Sequence, residues 1–448
     1  WGCGGLVGSE HAAGRSRSWL LRRQHQQVWP AMLKLKQLFD PHDLLNPGKL
    51  ITLEPEDCDE HLRQVSTSIR VTHADKALVE ATAAEIEAAE SRGFPVRELP
   101  VIQQWGEGRG IEEAVRACNG CGRCRTTAPD QRQCPMFRIL QTEEASPRAK
   151  ANLLRGVLTG ALDPADLALD RAKEIADLCF GCQQCRVECP ASVDVPKIAN
   201  EIKAQYVATN GLSLSDLLMS RIDRVAAIAS KVPTLANFVM RSPTWRWILE
   251  RTFGLSQARL LPSLAEKSFL QYAVGRRWHR AMPHGGTKIV YFVDHYATYH
   301  DTEVGVALAE VLLHNQIDIY VPPKQVASGM ARIAAGDARG AQRIARRNVR
   351  ILADAVRQGY TVLVTEPAAA LALKREYVNL LGDEDSQTVS DNTFEACQYL
   401  WELHEQNRLS LDFQNIPAEV AYHQPCHVRA LDSSRAGQRL MELIPGLS

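Results

Sequence analysis

Two stretches decide the reading of this chain: Cys118-Asn119-Gly120-Cys121-Gly122-Arg123-Cys124, followed ten residues later by Cys134-Pro135, and Cys179-Phe180-Gly181-Cys182-Gln183-Gln184-Cys185-Arg186-Val187-Glu188-Cys189-Pro190. Three cysteines at two-residue gaps can face one cubane, but its fourth corner needs a residue from elsewhere. The second stretch has the C-x2-C-x2-C-x3-C-P spacing of a [4Fe–4S] ligand run, in which the fourth cysteine reaches across to a neighbouring cluster. The expected ligand sets therefore cross: Cys118, Cys121 and Cys124 with Cys189, and Cys179, Cys182 and Cys185 with Cys134. Each terminal proline turns the chain away and suits the first turn of a helix. Zinc and disulfides are the competing readings. Zinc usually takes two separated ligand pairs, and disulfide frameworks belong to short secreted chains.

The 448 residues suggest about three domains. Lys plus Arg and Asp plus Glu both number 52, a balance that argues against a dedicated nucleic-acid binder. No apolar run is long enough for a transmembrane helix. Eight of the twelve cysteines fall in the two cluster motifs, which fits a reducing, cytoplasmic setting. The first residue is Trp1, and the chain reads as the C-terminal part of something longer.

Outward from the cysteines, the pattern changes twice. Residues 15–39 read as a basic helix closed by the turn signals Phe39-Asp40-Pro41 and Leu45-Asn46-Pro47-Gly48-Lys49. Residues 53–110 read as a linker, with an Ala/Glu-rich helix over 73–91. Ser146-Pro147 is a good helix start between the cysteine runs. Residues 207–284 read as a helical connector, with helices over 212–229 and 243–253. Trp245, Trp247 and Ile248 are assigned to core or interdomain packing, with a peripheral membrane contact as the alternative. From Lys288 onward strands alternate with helices, which implies a parallel α/β sheet. Strands are expected at 288–293, 317–321, 361–365 and 418–422. Asp294-His295-Tyr296 and His423-Gln424-Pro425-Cys426-His427 then stand at carboxyl strand ends, where sites form.

Three stretches together resemble bacterial FAD-linked oxidases of the D-2-hydroxy acid (D-lactate or 2-hydroxyglutarate) dehydrogenase type, fused to a glycolate-oxidase-type iron–sulfur subunit. The first is Gly8-Ser9-Glu10-His11-Ala12-Ala13-Gly14-Arg15 with Asn46-Pro47-Gly48-Lys49, which looks like the end of the substrate domain. The resemblance implies that His11 takes the hydroxyl proton as hydride leaves for the flavin, that Glu10 ligates a divalent metal, and that Asn46 and Lys49 lie at the FAD. Ala12 departs from the usual Glu-His-Gly. The second is the double cysteine motif with Met136-Phe137-Arg138 and Ser146-Pro147-Arg148-Ala149-Lys150. The third is the α/β region, which resembles the Cys-Cys-Gly (CCG) domain of heterodisulfide reductase. There Val326-Ala327-Ser328-Gly329-Met330 stands where the first Cys-Cys-Gly is expected, and His295 or its neighbours stand near another lost thiol, so no cluster is expected in that domain. Cys397, within a helical pattern, reads as a small buried hydrophobe.

The expected fold is mixed α and α/β: the end of an FAD-oxidase C-terminal domain over 1–52, a linker over 53–110, a two-[4Fe–4S] ferredoxin-type domain over 111–206, a helical connector over 207–284, and an incomplete CCG-type α/β domain over 285–448. The resemblance implies an electron-transfer portion carrying electrons from FAD through two [4Fe–4S] clusters, with a small 2-hydroxy acid as substrate. A quinone, an electron-transfer flavoprotein or a cytochrome would be the acceptor. The fragment by itself is expected to be inactive, because most of the FAD domain would lie upstream. Localisation follows as cytoplasmic or peripheral at the inner membrane. The rival reading is an electron-transfer subunit of a heterodisulfide-reductase-like or glycolate oxidase complex with no substrate chemistry of its own. It leaves Glu10-His11 unexplained. A redox-sensing module is a third reading.

Overall fold

The computed structural model describes residues 22–45, 51, 69–73, 97–106, 110–280, 286–431 and 435–448. Glu10, His11, Asn46 and Lys49 lie outside them, as do Cys3 and Cys58 and most of the helix expected over 73–91. Contacts divide the chain into two units, 1–66 and 67–448.

In the first unit a helix runs Trp29–Phe39 with Pro30 in its first turn, the position where a missing N–H costs nothing. A turn at 25–28 separates it from helical residues 22–24, so the basic helix is shorter than the sequence suggests. It stops at Asp40. The Asp40 carboxylate accepts the N–H groups of Leu44 and Leu45, both at 2.8 Å, and pairs with Lys36 at 2.5 Å. This ties down the turn that the Phe39-Asp40-Pro41 signal announces.

The second unit opens with two parallel strands, β1 (Ile69–His73) and β2 (Arg97–Val101). They fall in the stretch read as linker. Leu99, Val101 and Trp105 are buried in one core with Leu154, Leu158, Ile198 and Ile202 of the cysteine-bearing region. The anchor is Glu201, fully buried on the helix Val195–Asn210, whose carboxylate accepts the N–H of Ile102 at 2.8 Å and of Gln103 at 3.0 Å. The helix Pro147–Leu158 starts as expected. Ser146 is its N-cap and accepts the N–H of Ala149, with Pro147 in the first turn.

The connector folds as helices Leu214–Ser220, Ile222–Ala229, Pro233–Arg241 and Pro243–Phe253. Trp245 and Trp247 are 47% and 54% exposed, which corrects their assignment to core. Phe238 and Leu235 are exposed on the neighbouring helix.

Beyond it lies a parallel four-stranded sheet, ordered β4 (Asp318–Tyr320), β3 (Lys288–Phe292), β5 (Tyr360–Val364) and β6 (Thr393–Glu395). Strand alternation sends Ile289 and Tyr291 into one core and Val290 and Phe292 into the other. Helices cover both faces, which is why these strands read as continuous apolar runs. Two expectations fail here. Residues 418–422 form no strand of this sheet; they carry an isolated bridge from Ala418 to Leu447 and are largely exposed. The fourth strand is instead Thr393–Glu395, at the start of the stretch 393–406 whose pattern reads as helix, and the helix starts at Ala396. Three residues are too few for a period to register. Among the described residues no helix is long and apolar enough to cross a membrane.

Replacing Glu201 by Leu strands two buried N–H donors. A loss of about 2–5 kcal/mol is expected, read as a lower urea midpoint by circular dichroism, with Glu201→Gln retaining part of the stability.

Candidate metal centre

The eight motif cysteines line two adjacent cavities. Cys134, Cys179, Cys182 and Cys185 line one, with Met136, Phe180 and Lys150. Cys118, Cys121, Cys124 and Cys189 line the other, with Arg148 and Gln133. Each cavity thus takes three thiols from one run and the last thiol of the other run, with Cys185, Pro147 and Val195 lining both.

The local backbone explains the wrapping. Gly120 and Gly122 flank Cys121 at φ of 76° and 77°, and Gly181 and Gln183 flank Cys182 at 73° and 63°. A left-handed residue on each side of the middle cysteine curls the loop so that all three sulfurs face inward. Glycine does this without penalty, whereas Gln183 costs about 1–2 kcal/mol. Gln183 is buried and its amide approaches the Glu376 carboxylate at 3.4 Å.

These cavities suit iron–sulfur clusters. Thiols ring an apolar space instead of converging on a point; among the described residues no group of three or more His, Cys, Asp or Glu side chains is drawn together as a single ion would need. Burial pushes the Cys182 thiol up to about 11 and raises Cys185 well above its ordinary value, so neither ionises without a cation to hold. Two buried lysines stand beside the Cys179 cavity. Lys150, 1% exposed, donates to Glu144 O at 2.5 Å and Ser146 O at 3.3 Å; burial lowers its pKa while Cys179, Cys134 and Cys185 act to raise it. Lys203 donates to Cys179 O at 3.0 Å and Ala334 O at 3.2 Å. The other cavity is more open: Cys121 is exposed, and Arg148 beside it is held by a bidentate pair with Glu143 at 2.7 and 2.9 Å. In the sequence Lys150 is one residue of the Ser146-Pro147-Arg148-Ala149-Lys150 stretch, with nothing to mark it for a role. A lysine three residues past a helix-starting Ser-Pro is ordinary surface chemistry until the fold buries it.

The α/β region closes over the Cys179 loop. Pro425-Cys426-His427, expected at a strand end, instead begins the helix Cys426–Ala430. His427 Nε2 lies 3.1 Å from Gly181 O, Arg186 donates to Ala430 O at 2.7 Å, and Arg429 donates to Gln184 Oε1 at 2.8 Å. Cys426 is exposed, near enough to Cys182 to act on its charge. At the thiol-free loop, Ser328 donates its N–H and its hydroxyl to Asp294 at 2.7 and 2.5 Å. Asp294 and His295 follow β3 at its carboxyl end, as expected. Cys397 is only half-buried, its thiol pushed up to about 12 by burial beside Glu395.

Comparison with known families gives two matches. Residues 1–50 match the family described as FAD linked oxidases, C-terminal domain, and residues 97–193 match the 4Fe-4S dicluster domain. The chain is thus similar to the C-terminal domain of FAD-linked oxidases at its start and to an iron–sulfur domain in its middle part. These matches support FAD and [4Fe–4S] clusters as cofactors. D-2-hydroxyglutarate dehydrogenase of Escherichia coli (strain K12) is 24% identical over 429 residues, covering 85% of this chain and 38% of that protein. The chain therefore spans well under half of that relative. One subunit of the anaerobic glycerol-3-phosphate dehydrogenase of the same organism is 25% identical over 58% of this chain and 64% of its own length. One subunit of the fumarate reductase (CoM/CoB) of Methanothermobacter marburgensis is 23% identical over 76% of this chain and 60% of its own length. No solved structure matches.

Lys150→Met removes a buried cation next to a centre of net negative charge. At a separation on the order of 8 Å and an effective dielectric of about 20, the reduced state loses about 2 kcal/mol, roughly 90 mV for one electron. A redox titration followed by electron paramagnetic resonance should show one midpoint falling and the other holding still.

Proposed function

We propose that this chain is the electron-transfer portion of a flavin-dependent D-2-hydroxy acid dehydrogenase. Its [4Fe–4S] ligands would be Cys118, Cys121, Cys124 and Cys189 for one cluster, and Cys179, Cys182, Cys185 and Cys134 for the other. The observation that carries the reading is the sorting of the eight thiols into two adjacent cavities, each completed by the other run's fourth cysteine. FAD, when bound, supplies two-electron hydride chemistry, and clusters handle one electron each.

The chain's own residues do the rest. The left-handed turns at Gly120, Gly122, Gly181 and Gln183 hold the thiols inward. Pro147, Val195 and Cys185 form the shared wall between cavities, which keeps the two centres close. Lys150 and Lys203 offset negative charge at the more enclosed one. Glu10 and His11 are proposed as metal ligand and base of the hydroxy-acid step, and Asn46 and Lys49 as FAD contacts. The match of residues 1–50 to the oxidase C-terminal domain favours this over a subunit without substrate chemistry. A quinone, flavoprotein or cytochrome would take the electrons.

About eight irons and eight sulfides per chain are expected after anaerobic reconstitution. Cys134→Ser should damage the resonance of the cluster held by Cys179, Cys182 and Cys185. Loss of the other cluster's signal would refute the crossing, and stoichiometric zinc in native protein would refute the clusters themselves.

In the longer protein, His11→Ala should slow flavin reduction by a D-2-hydroxy acid about 10²–10⁴-fold, the contribution of a placed general base. Dithionite should still reduce its clusters. Stopped-flow reduction at the unmodified rate would remove His11 from the mechanism.

A further inference from the structure

A cavity of about 510 Å³ opens at the carboxyl end of β3, away from the thiols. Five arginines line it: Arg221, Arg224, Arg332, Arg343 and Arg347. They come from three places in the chain: the start of the helix Ile222–Ala229, the helix Met330–Ala334 and the helix Ala338–Arg357. Asp223 is the one carboxylate lining it among the described residues. In a chain whose charges balance overall, so many guanidinium groups at one concavity have no local explanation in folding.

Their hydrogen bonding leaves capacity unused. Arg332 is 97% buried, since 3% of it is exposed; its Nη1 bonds Asp337 at 2.6 Å, but its Nε has no partner. Arg347 reaches only a backbone carbonyl, Lys324 O, at 2.8 and 3.1 Å. Arg221, Arg224 and Arg343 have no side-chain partner among the described residues. His295 also lines the cavity; its Nδ1 is buried without a partner, while Nε2 meets His300 Nε2 at 3.2 Å. A buried polar atom left unpaired is costly, and two residues of this one cavity carry one each. Gly340 lines it too; a Cβ there would clash first with Asp337 and then with Arg332 Nη1, so the Arg332–Asp337 pair packs directly against the helix start.

Guanidinium groups bind phosphate and carboxylate through paired N–H bonds, and ligands of parallel α/β sheets bind outside the carboxyl strand ends. We propose that this cavity binds a small multivalent oxyanion, a phosphate ester or a di- or tricarboxylate, at a site separate from the two thiol cavities.

The test is isothermal titration calorimetry of the reconstituted chain with pyrophosphate and, separately, citrate. Saturable one-to-one binding of at least one is expected, and the tighter of the two identifies the head group. Arg224→Gln and Arg343→Gln, both exposed and so tolerable to the fold, should each weaken it about tenfold, the worth of a charge-assisted bond. Arg346→Gln and Arg350→Gln, on the same helix but outside the cavity, should leave it unchanged. Cluster absorbance reports that each variant is folded. Absence of saturable binding of both anions overturns the proposal, and so does equal weakening in the control variants, which would mean diffuse surface attraction.

Discussion

The start of the helix Pro147–Leu158 is wedged between the two thiol cavities, and both depend on it. Ser146 caps the helix through the Ala149 N–H, which fixes its first turn in space. Pro147 then touches both cavities, Arg148 points to one and Lys150 to the other. Two positively charged residues two apart on a helix face different directions, and here each direction holds four thiols. Losing the cap would shift both walls at once. The same helix buries Leu154 and Leu158 in the core that receives Leu99 and Val101. The geometry of the thiols is thus tied to ordinary hydrophobic packing, and does not rest on the cysteine loops alone.

The α/β region is fastened to this iron–sulfur core by polar contacts over a small apolar seam. Ile102, Ala204, Ile333, Ala338, Ala341 and Leu380 form the seam. Around it Arg375 pairs with Asp194 at 2.8 Å, Lys197 donates to Asn379 at 2.9 Å, and Lys203 spans from Cys179 O to Ala334 O. Glu376, fully buried behind Gln183, has its pKa raised to about 7 by burial and by Asp194. Because Asp194 caps the helix Val195–Asn210 while also binding Arg375, and Lys203 reaches Cys179 O while also binding Ala334 O, the seam and the Cys179 loop are held by shared residues. Packing of the sheet region is therefore felt at the more enclosed cavity first.

The local patterns were legible and the long-range ones were not. Cysteine spacing picked out the eight thiols that line the two cavities, because ligand geometry is written into two-residue gaps. Short continuous apolar runs named β3 and β5, which are buried on both faces. Thr393–Glu395 escaped, because three residues carry no period and the helix that follows dominates the window. Residues 418–422 look like a strand by composition, yet they pair only briefly with 446–448 outside the four-stranded sheet, and Val420 and Tyr422 lie exposed. Trp245 and Trp247 failed for a related reason: aromatic content states that burial would be favourable, not that a partner surface is present. Burial of Lys150 and Lys203 beside the thiols, and the separate arginine cavity, depend on residues far apart in sequence, and no local pattern announces them.

The two cavities differ in a way that bears on how electrons would move between them. One is enclosed, apolar, and backed by two buried ammonium groups, Lys150 bonded to backbone carbonyls and Lys203 also paired with Asp177 at 3.4 Å. The other exposes Cys121, and its nearest guanidinium is already committed to Glu143. Burial favours the less charged, oxidised state of a cluster, while a buried cation favours reduction. With a cluster bound, these effects would oppose each other in the enclosed cavity, with Lys150 as the counterweight to desolvation. At the other cavity the exposed Cys121 leaves one thiol to solvent. Without Lys150, a reduced cluster in the enclosed cavity would hold its added charge with less compensation, which sets the desolvation cost of burying that lysine against the charge it would offset.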